Sequence, residues 1–167
     1  MSGESKAVRK LIEKFTGVSL RVEESNGATM VTVGKEKARD VLLFLRNDAD
    51  CNFDMLTDQF GVDHSSEKPR FELIYLLNSL GNKERLTVKV RLAEGESFPT
   101  VCDIWKAAEW FEREIFDMFG IRFDNHPDLR RILLDDDFEG HPLRKDFPTE
   151  GYGFDQPFTV HLEGENE

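Results

Sequence analysis

Two runs in the middle of the chain fix the kind of scaffold it can build. Phe71, Leu73, Tyr75 and Leu77 form one apolar row of a strand, and Ile74 and Leu76 make the other row apolar too, which suits a position inside a sheet. After a Gly81-Asn82 turn, Leu86, Val88, Val90 and Leu92 alternate with Arg85, Thr87, Lys89 and Arg91, giving one buried face and one cationic, exposed face. A sheet with an apolar side needs a cover, and helical periodicity elsewhere supplies it. Val8, Leu11, Ile12 and Phe15 share a helical face within residues 6–15, and Gly17 stands where a left-handed cap would end that helix. Ala38, Val41, Leu42 and Leu45 repeat the pattern within residues 35–46. Between them Val18, Leu20 and Val22 alternate, Asn26-Gly27 makes a tight turn, and residues 28–33 resume a β-rich run, which together predict a hairpin. Residues 53–60 predict a short strand that stops at Gly61, and residues 63–69 a polar loop.

The last predicted helix opens at Pro99-Thr100, with Thr100 as cap, Asp103 as the third helical residue of a capping box, and Gly120 as its stop. Its apolar face holds Ile104, Ala107, Ala108, Phe111, Ile115, Met118 and Phe119, and the opposite face Lys106, Glu109, Arg113 and Asp117. Trp105 and Phe116 widen the apolar surface on one side and Trp110 on the other, more than one sheet needs. A partner surface, the chain's own tail, or the sheet edges must cover the excess. The expected fold is therefore α+β: a mixed or antiparallel sheet with helices packed on it, in the order α-β-β-α-β-β-β-α over residues 1–120, followed by an extended C-terminal tail over residues 121–167. The tail repeats itself loosely, His126-Pro127-Asp128-Leu129-Arg130-Arg131 being echoed by His141-Pro142-Leu143-Arg144-Lys145, with Asp135, Asp136 and Asp137 between. So punctuated a segment is not expected to pack on itself. Each His-Pro step fixes an extended backbone, as suits a strap laid across a neighbouring protein.

Composition narrows the chemistry. A formal net charge of -11 and a pI near 4.9 argue against nucleic acid. No run of about 18 apolar residues is present, and the first ten residues lack the apolar stretch of a secretory signal, which predicts a soluble, intracellular chain. Cys51 and Cys102 form no CxxC, and too few thiols are present for an iron-sulfur cluster. His64, His126, His141 and His161 never reach metal-ligand spacing. GxGxxG, GxxxxGK, GxSxG and HExxH are missing. Glu112 and Glu114 point about 200° apart on a helix, so they do not face one substrate. The Arg130-Arg131 and Arg144-Lys145 doublets could take phosphate or carboxylate groups, but pairing with acidic residues of this chain or a partner is favoured.

ERE at 112–114, two residues, DMFGI at 117–121, then HPDLRRIL at 126–133 and GHPLRKDFP at 140–148 closely resemble the signature of the C subunit of respiratory complex I, the 30 kDa subunit family, over a stretch from Trp105 to about Tyr152. The resemblance implies a cofactor-free, non-catalytic peripheral-arm subunit of a proton-translocating NADH:quinone oxidoreductase, needed for assembly of its quinone-proximal connecting module. Its partners would be the quinone-binding D-type subunit and the iron-sulfur subunits, with clusters, FMN and quinone all held by partners. Its place would be peripheral, on the cytoplasmic face of a bacterial inner membrane or the matrix face in a mitochondrion. By carry-over, Glu112, Arg113, Glu114, Asp117, His126, Pro127, Asp128, Leu129, Arg130, Arg131, His141, Pro142, Leu143, Arg144, Lys145 and Asp146 would be assembly residues, with Trp105 as a further interface candidate. No residue of this chain is then expected to be catalytic or to bind a cofactor or metal. Two alternatives stay open: a C-type subunit of a related energy-converting dehydrogenase or hydrogenase, and a small stand-alone enzyme using His126 or His141 as acid-base group and Arg130 for an anionic substrate. Phe154 to Val160 do not match the family pattern, and the stretch beyond Leu162 reads as a frayed acidic end.

Overall fold

The computed structural model describes residues 5–25 and 27–151; the predicted turn residue Asn26 and the readings for Phe154 to Val160 and beyond Leu162 lie outside them. Helix α1 spans Lys6–Lys14, and the Ser5 hydroxyl caps it by accepting the Val8 N–H at 3.2 Å. The hairpin β1 (Leu20–Ser25) and β2 (Ala28–Val33) follows, then α2 (Lys35–Asn47), β3 (Met55–Asp63), β4 (Phe71–Ser79) and β5 (Glu84–Leu92). The five strands form one sheet in the order β1-β2-β5-β4-β3. The β2–β5 pair is parallel and the other pairs of this sheet are antiparallel, so the sheet is mixed, and its five strands and the helices follow the order expected from the sequence, to which the structure adds two short strands around the last helix.

The row Leu73, Tyr75, Leu77, Leu86, Val88, Val90 and Leu92 joins Val8, Leu11, Val41, Leu42, Leu45, Ala108, Ile115 and Phe119 in one buried cluster, so the helices cover one face of the sheet. The second apolar row of β4 points the other way, with Ile74 opposite Lys89 and Leu76 opposite Thr87. Two boundaries differ from expectation. Strand β3 does not stop at Gly61; it continues to Asp63, with a register shift between Leu56 and Asp58. Gly61 is no breaker there, because it gives the Phe119 ring room to lie on the strand: a Cβ at this position would meet that ring at 3.0 Å. In α1, Ile12 is exposed rather than on the buried face, which Ala7, Val8 and Leu11 occupy.

The larger correction concerns the last helix. Helix α3 is Ala108–Phe119, and residues 100–107 make turns, not helix. The Thr100 hydroxyl accepts the Cys102 N–H at 3.2 Å and donates to the Glu112 carboxylate at 2.5 Å, so it holds a turn on the flank of α3 instead of capping at Asp103. Ahead of these turns, β6 (Phe98–Pro99) pairs in parallel with β7 (Phe123–Asp124), which brings the chain after α3 back beside the chain before it. Gly120, with φ of +74°, makes the left-handed stop at the end of α3.

Candidate functional site

The strap after β7 runs along α3 in the same direction as the helix and is fastened to it by buried charge. Expected not to pack on itself, the tail instead takes its seat on its own domain, one of the covers open for the excess surface of the last helix: residues 126–146 are bonded to it at three places. The first is the second half of α3. Asp117, fully buried, takes the Arg131 guanidinium on Oδ1 at 2.6 Å and the N–H groups of Ile132, Leu133 and Leu134 on Oδ2 at 3.0, 2.9 and 3.1 Å. Burial alone would raise its pKa, but Arg131 and the three N–H donors overcome this and hold it below the usual carboxylate value. Arg131 also donates to the carbonyls of Phe138 at 2.8 Å and Gly140 at 3.0 Å, closing the strap into a loop. One turn earlier, Arg113 donates to the carbonyls of Arg130 and Arg131 at 3.2 and 2.9 Å and lies over the Trp110 ring at 5.3 Å. His141 Nδ1 bonds the Asp117 carbonyl at 2.8 Å, which assigns the proton to Nδ1, and Leu143 N–H donates to Met118 O at 3.1 Å.

The second place is the start of the strap. Glu112, also fully buried, accepts Thr100 Oγ1 on Oε2, Val101 N–H on Oε1 at 2.8 Å, and the Cys102 thiol at 3.4 Å. Burial pushes its pKa up against those hydrogen bonds. Cys102, Glu112 and His126 place one potential metal-ligand atom each within 4.8 Å of one another. Linear spacing gives no hint of this trio, since β7 brings His126 to α3 through the fold. The atoms a metal would use are engaged, however. His126 Nε2 bonds Glu109 O at 3.1 Å and Nδ1 accepts the Asp128 N–H at 3.0 Å, while burial pushes the Cys102 thiol up to about 12. Within the trio Cys102 and Glu112 share a hydrogen bond, and His126 ties the start of the strap to Glu109 O beside them.

The third place is the far end. Asp63 takes Arg70 with both carboxylate oxygens, at 2.8 and 2.7 Å, and accepts the Lys145 N–H at 2.8 Å. Arg70 reaches on to Asp146 at 2.8 Å and Glu94 at 3.1 Å, while Arg144 pairs with Glu94 and Asp146. The Arg70 contact pulls the Asp146 carboxyl down to about 2.

Of the residues singled out from sequence, Trp105, Glu112, Arg113 and Asp117 are buried and bonded within the chain; the Trp105 indole N–H donates to Phe53 O at 3.0 Å. Helical periodicity turns Arg113 and Asp117 toward solvent, but the strap covers them. His126, Leu129, Arg131, His141, Pro142 and Arg144 are half-buried between strap and domain, and Glu114, Pro127, Asp128, Arg130, Leu143, Lys145 and Asp146 are exposed. The arginines pair with acids of this chain, as favoured: Arg130 with Asp128 and Arg131 with Asp117. The histidine rings are tied to main chain and Arg130 lies outside, so the acid-base site of the stand-alone enzyme is not assembled by these groups. Sequence reasoning misses Asp63, Arg70, Glu94, Thr100 and Cys102. For Asp63 a signal exists, since it is the next core-facing position after Gly61 once β3 is continued, and a buried carboxylate needs a cation.

Residues 31–153 match the family described as "Respiratory-chain NADH dehydrogenase, 30 Kd subunit". The C-type NADH-quinone oxidoreductase subunit of Wolbachia sp. subsp. Brugia malayi is 47% identical over 143 residues, covering 86% of this chain and 75% of that one. Its counterparts of the same name from Geotalea uraniireducens and Trichlorobacter lovleyi are 45% and 46% identical over 152 and 155 residues, covering 90% and 92% of this chain and 92% and 94% of theirs. With a match over most of its length, this chain belongs to the 30 kDa subunit family of the respiratory-chain NADH dehydrogenase, as the C-type subunit of an NADH-quinone oxidoreductase complex.

Proposed function

We propose that this chain is a non-catalytic, cofactor-free subunit of the peripheral arm of that complex, needed to assemble its quinone-proximal connecting module beside the D-type and iron-sulfur subunits. The observation that supports this most is where the buried charge goes. Arg113, Asp117, Asp63 and Arg70 are all engaged in fastening one strap rather than converging on a cavity. Such an arrangement shapes a surface, which is what a scaffold subunit needs. Redox centres would then reside in the partners, and the chain would sit peripherally on the cytoplasmic side of the membrane; no helix among the described residues is long and apolar enough to cross one.

The test is to express the tagged chain in its host, solubilise the membranes in detergent, and record the iron content and NADH:quinone turnover of what co-purifies. Arg131→Glu should lower the amount of assembled complex while turnover per assembled complex stays normal. Normal complex content with lost turnover would refute the scaffold role.

A further inference from the structure

The strap holds apolar side chains in solvent on a backbone that is already fixed. Leu133 is 64% exposed and Leu143 52% exposed, yet the N–H of Leu133 is bonded to Asp117 and that of Leu143 to Met118 O, adjacent residues of α3. Two exposed leucines are thus each tied through their backbone to the last turn of α3, and the ordering entropy a docking segment normally loses is largely lost beforehand. The charge around them is one-sided. The exposed carboxylates of Asp135, Asp136, Asp137 and Glu139 have no ion-pair or hydrogen-bond partner among the described residues, whereas Arg130, Arg131 and Arg144 are all paired. Lys145 is the one nearby cation whose side chain is also unpaired there.

We propose that Leu133 and Leu143, with Asp135, Asp136, Asp137 and Glu139, form a docking face for a neighbouring subunit of the complex that offers an apolar pocket rimmed by Lys or Arg. A second copy of this chain is a poor occupant, because it would set four carboxylates against four in a chain of net charge -11. The proposal rests on the chain's assembly role and assigns it a surface.

The experiment replaces the host's own chain with tagged full-length variants and measures cluster-bearing subunits recovered per tagged chain from detergent-solubilised membranes. Leu133→Ser with Leu143→Ser, and separately Asp135→Lys with Asp136→Lys and Asp137→Lys, should each lower recovery at least tenfold. Leu80→Ser, equally exposed at 63% but on the β4–β5 turn, should leave recovery unchanged. The melting temperature of each purified variant should match that of the parent; if the leucine pair lowers it, the lysine substitutions decide. Undiminished recovery in both docking-face variants, or an equal loss in Leu80→Ser, overturns the face. So does a parent chain that sediments as a dimer dissociated by Leu133→Ser. If the parent itself brings down no cluster-bearing subunit, the assembly role fails as well, an outcome distinct from loss in the variants alone.

Discussion

Asp117 and Glu112 stand five residues apart on one helix, are equally buried, and have opposite electrostatics. Asp117 faces a guanidinium and three N–H groups, so its folded pKa lies below its ordinary value of 3.8. Its contribution to stability is therefore complete above that value and is lost as pH falls through the folded pKa. Glu112 faces a hydroxyl, one N–H and a thiol, and burial keeps its pKa above the ordinary 4.5. Its contribution has the other sign: it is complete below 4.5 and is lost as pH rises through the raised folded value. Urea unfolding between pH 3 and 7 separates the two. Asp117→Ala should cost about 3–5 kcal/mol at neutral pH, the usual consequence of leaving a buried charge unpaired, and the deficit should shrink towards pH 3. Glu112→Gln should be tolerated better at pH 7 than at pH 4 relative to the parent, because the amide removes a carboxylate that resists ionising. Parallel pH profiles for the two variants would contradict the assigned environments.

At the scale of elements, α3 shows what periodicity can and cannot reveal. The apolar face is legible from a 100° projection, and Ile115, Met118 and Phe119 are buried accordingly. The polar side is equally legible as polar, but no periodicity says which later segment will cover it, so Arg113 and Asp117 are left facing water. The helix start misleads for a related reason. Thr100 and Asp103 satisfy the capping-box pattern locally, yet Glu112, twelve residues on, competes for the Thr100 hydroxyl and wins because its buried carboxylate has few other donors. The stop at Gly120 is legible, and the structure adds a second reason for it: a Cβ there would lie 2.6 Å from the His141 ring. Gly17 also has positive φ, at +86°, but nothing lies within 4 Å of a Cβ built on it. Gly17→Ala should therefore cost about 1–2 kcal/mol from backbone strain alone, whereas Gly120→Ala should cost more and also loosen the second His-Pro element. Calorimetric melting of the two variants checks the ranking; equal losses would mean that the His141 ring moves aside freely.

For the whole molecule, strand rows, hairpins and helix faces are readable because each follows from local alternation, while the order of strands is not. Strand β5 lies between β2 and β4 and is parallel to β2, a placement that alternation along any one strand does not encode. The strap is extended, as its His-Pro steps imply, but its attachment to the domain depends on charges at 63, 70, 113 and 117 meeting residues as far on as 146, and such pairings are invisible in a linear pattern. They divide the strap into two seats with separate supports. Asp117 holds residues 131–134, and the Asp63–Arg70–Asp146 cluster holds residues 145–146. Arg70→Met removes the second support and leaves Asp63 buried beside nothing that neutralises it, so strand end and strap should part there first. Hydrogen exchange on the purified chain should show faster exchange at Lys145 in this variant while Ile132, Leu133 and Leu134 keep their protection, and trypsin should cut after Arg144 or Lys145 earlier than in the parent. Asp117→Ala should do the converse, freeing residues 132–134 first. If either substitution releases both segments together, the strap is a single cooperative unit, and the free chain would then present its leucines only when both clusters are intact.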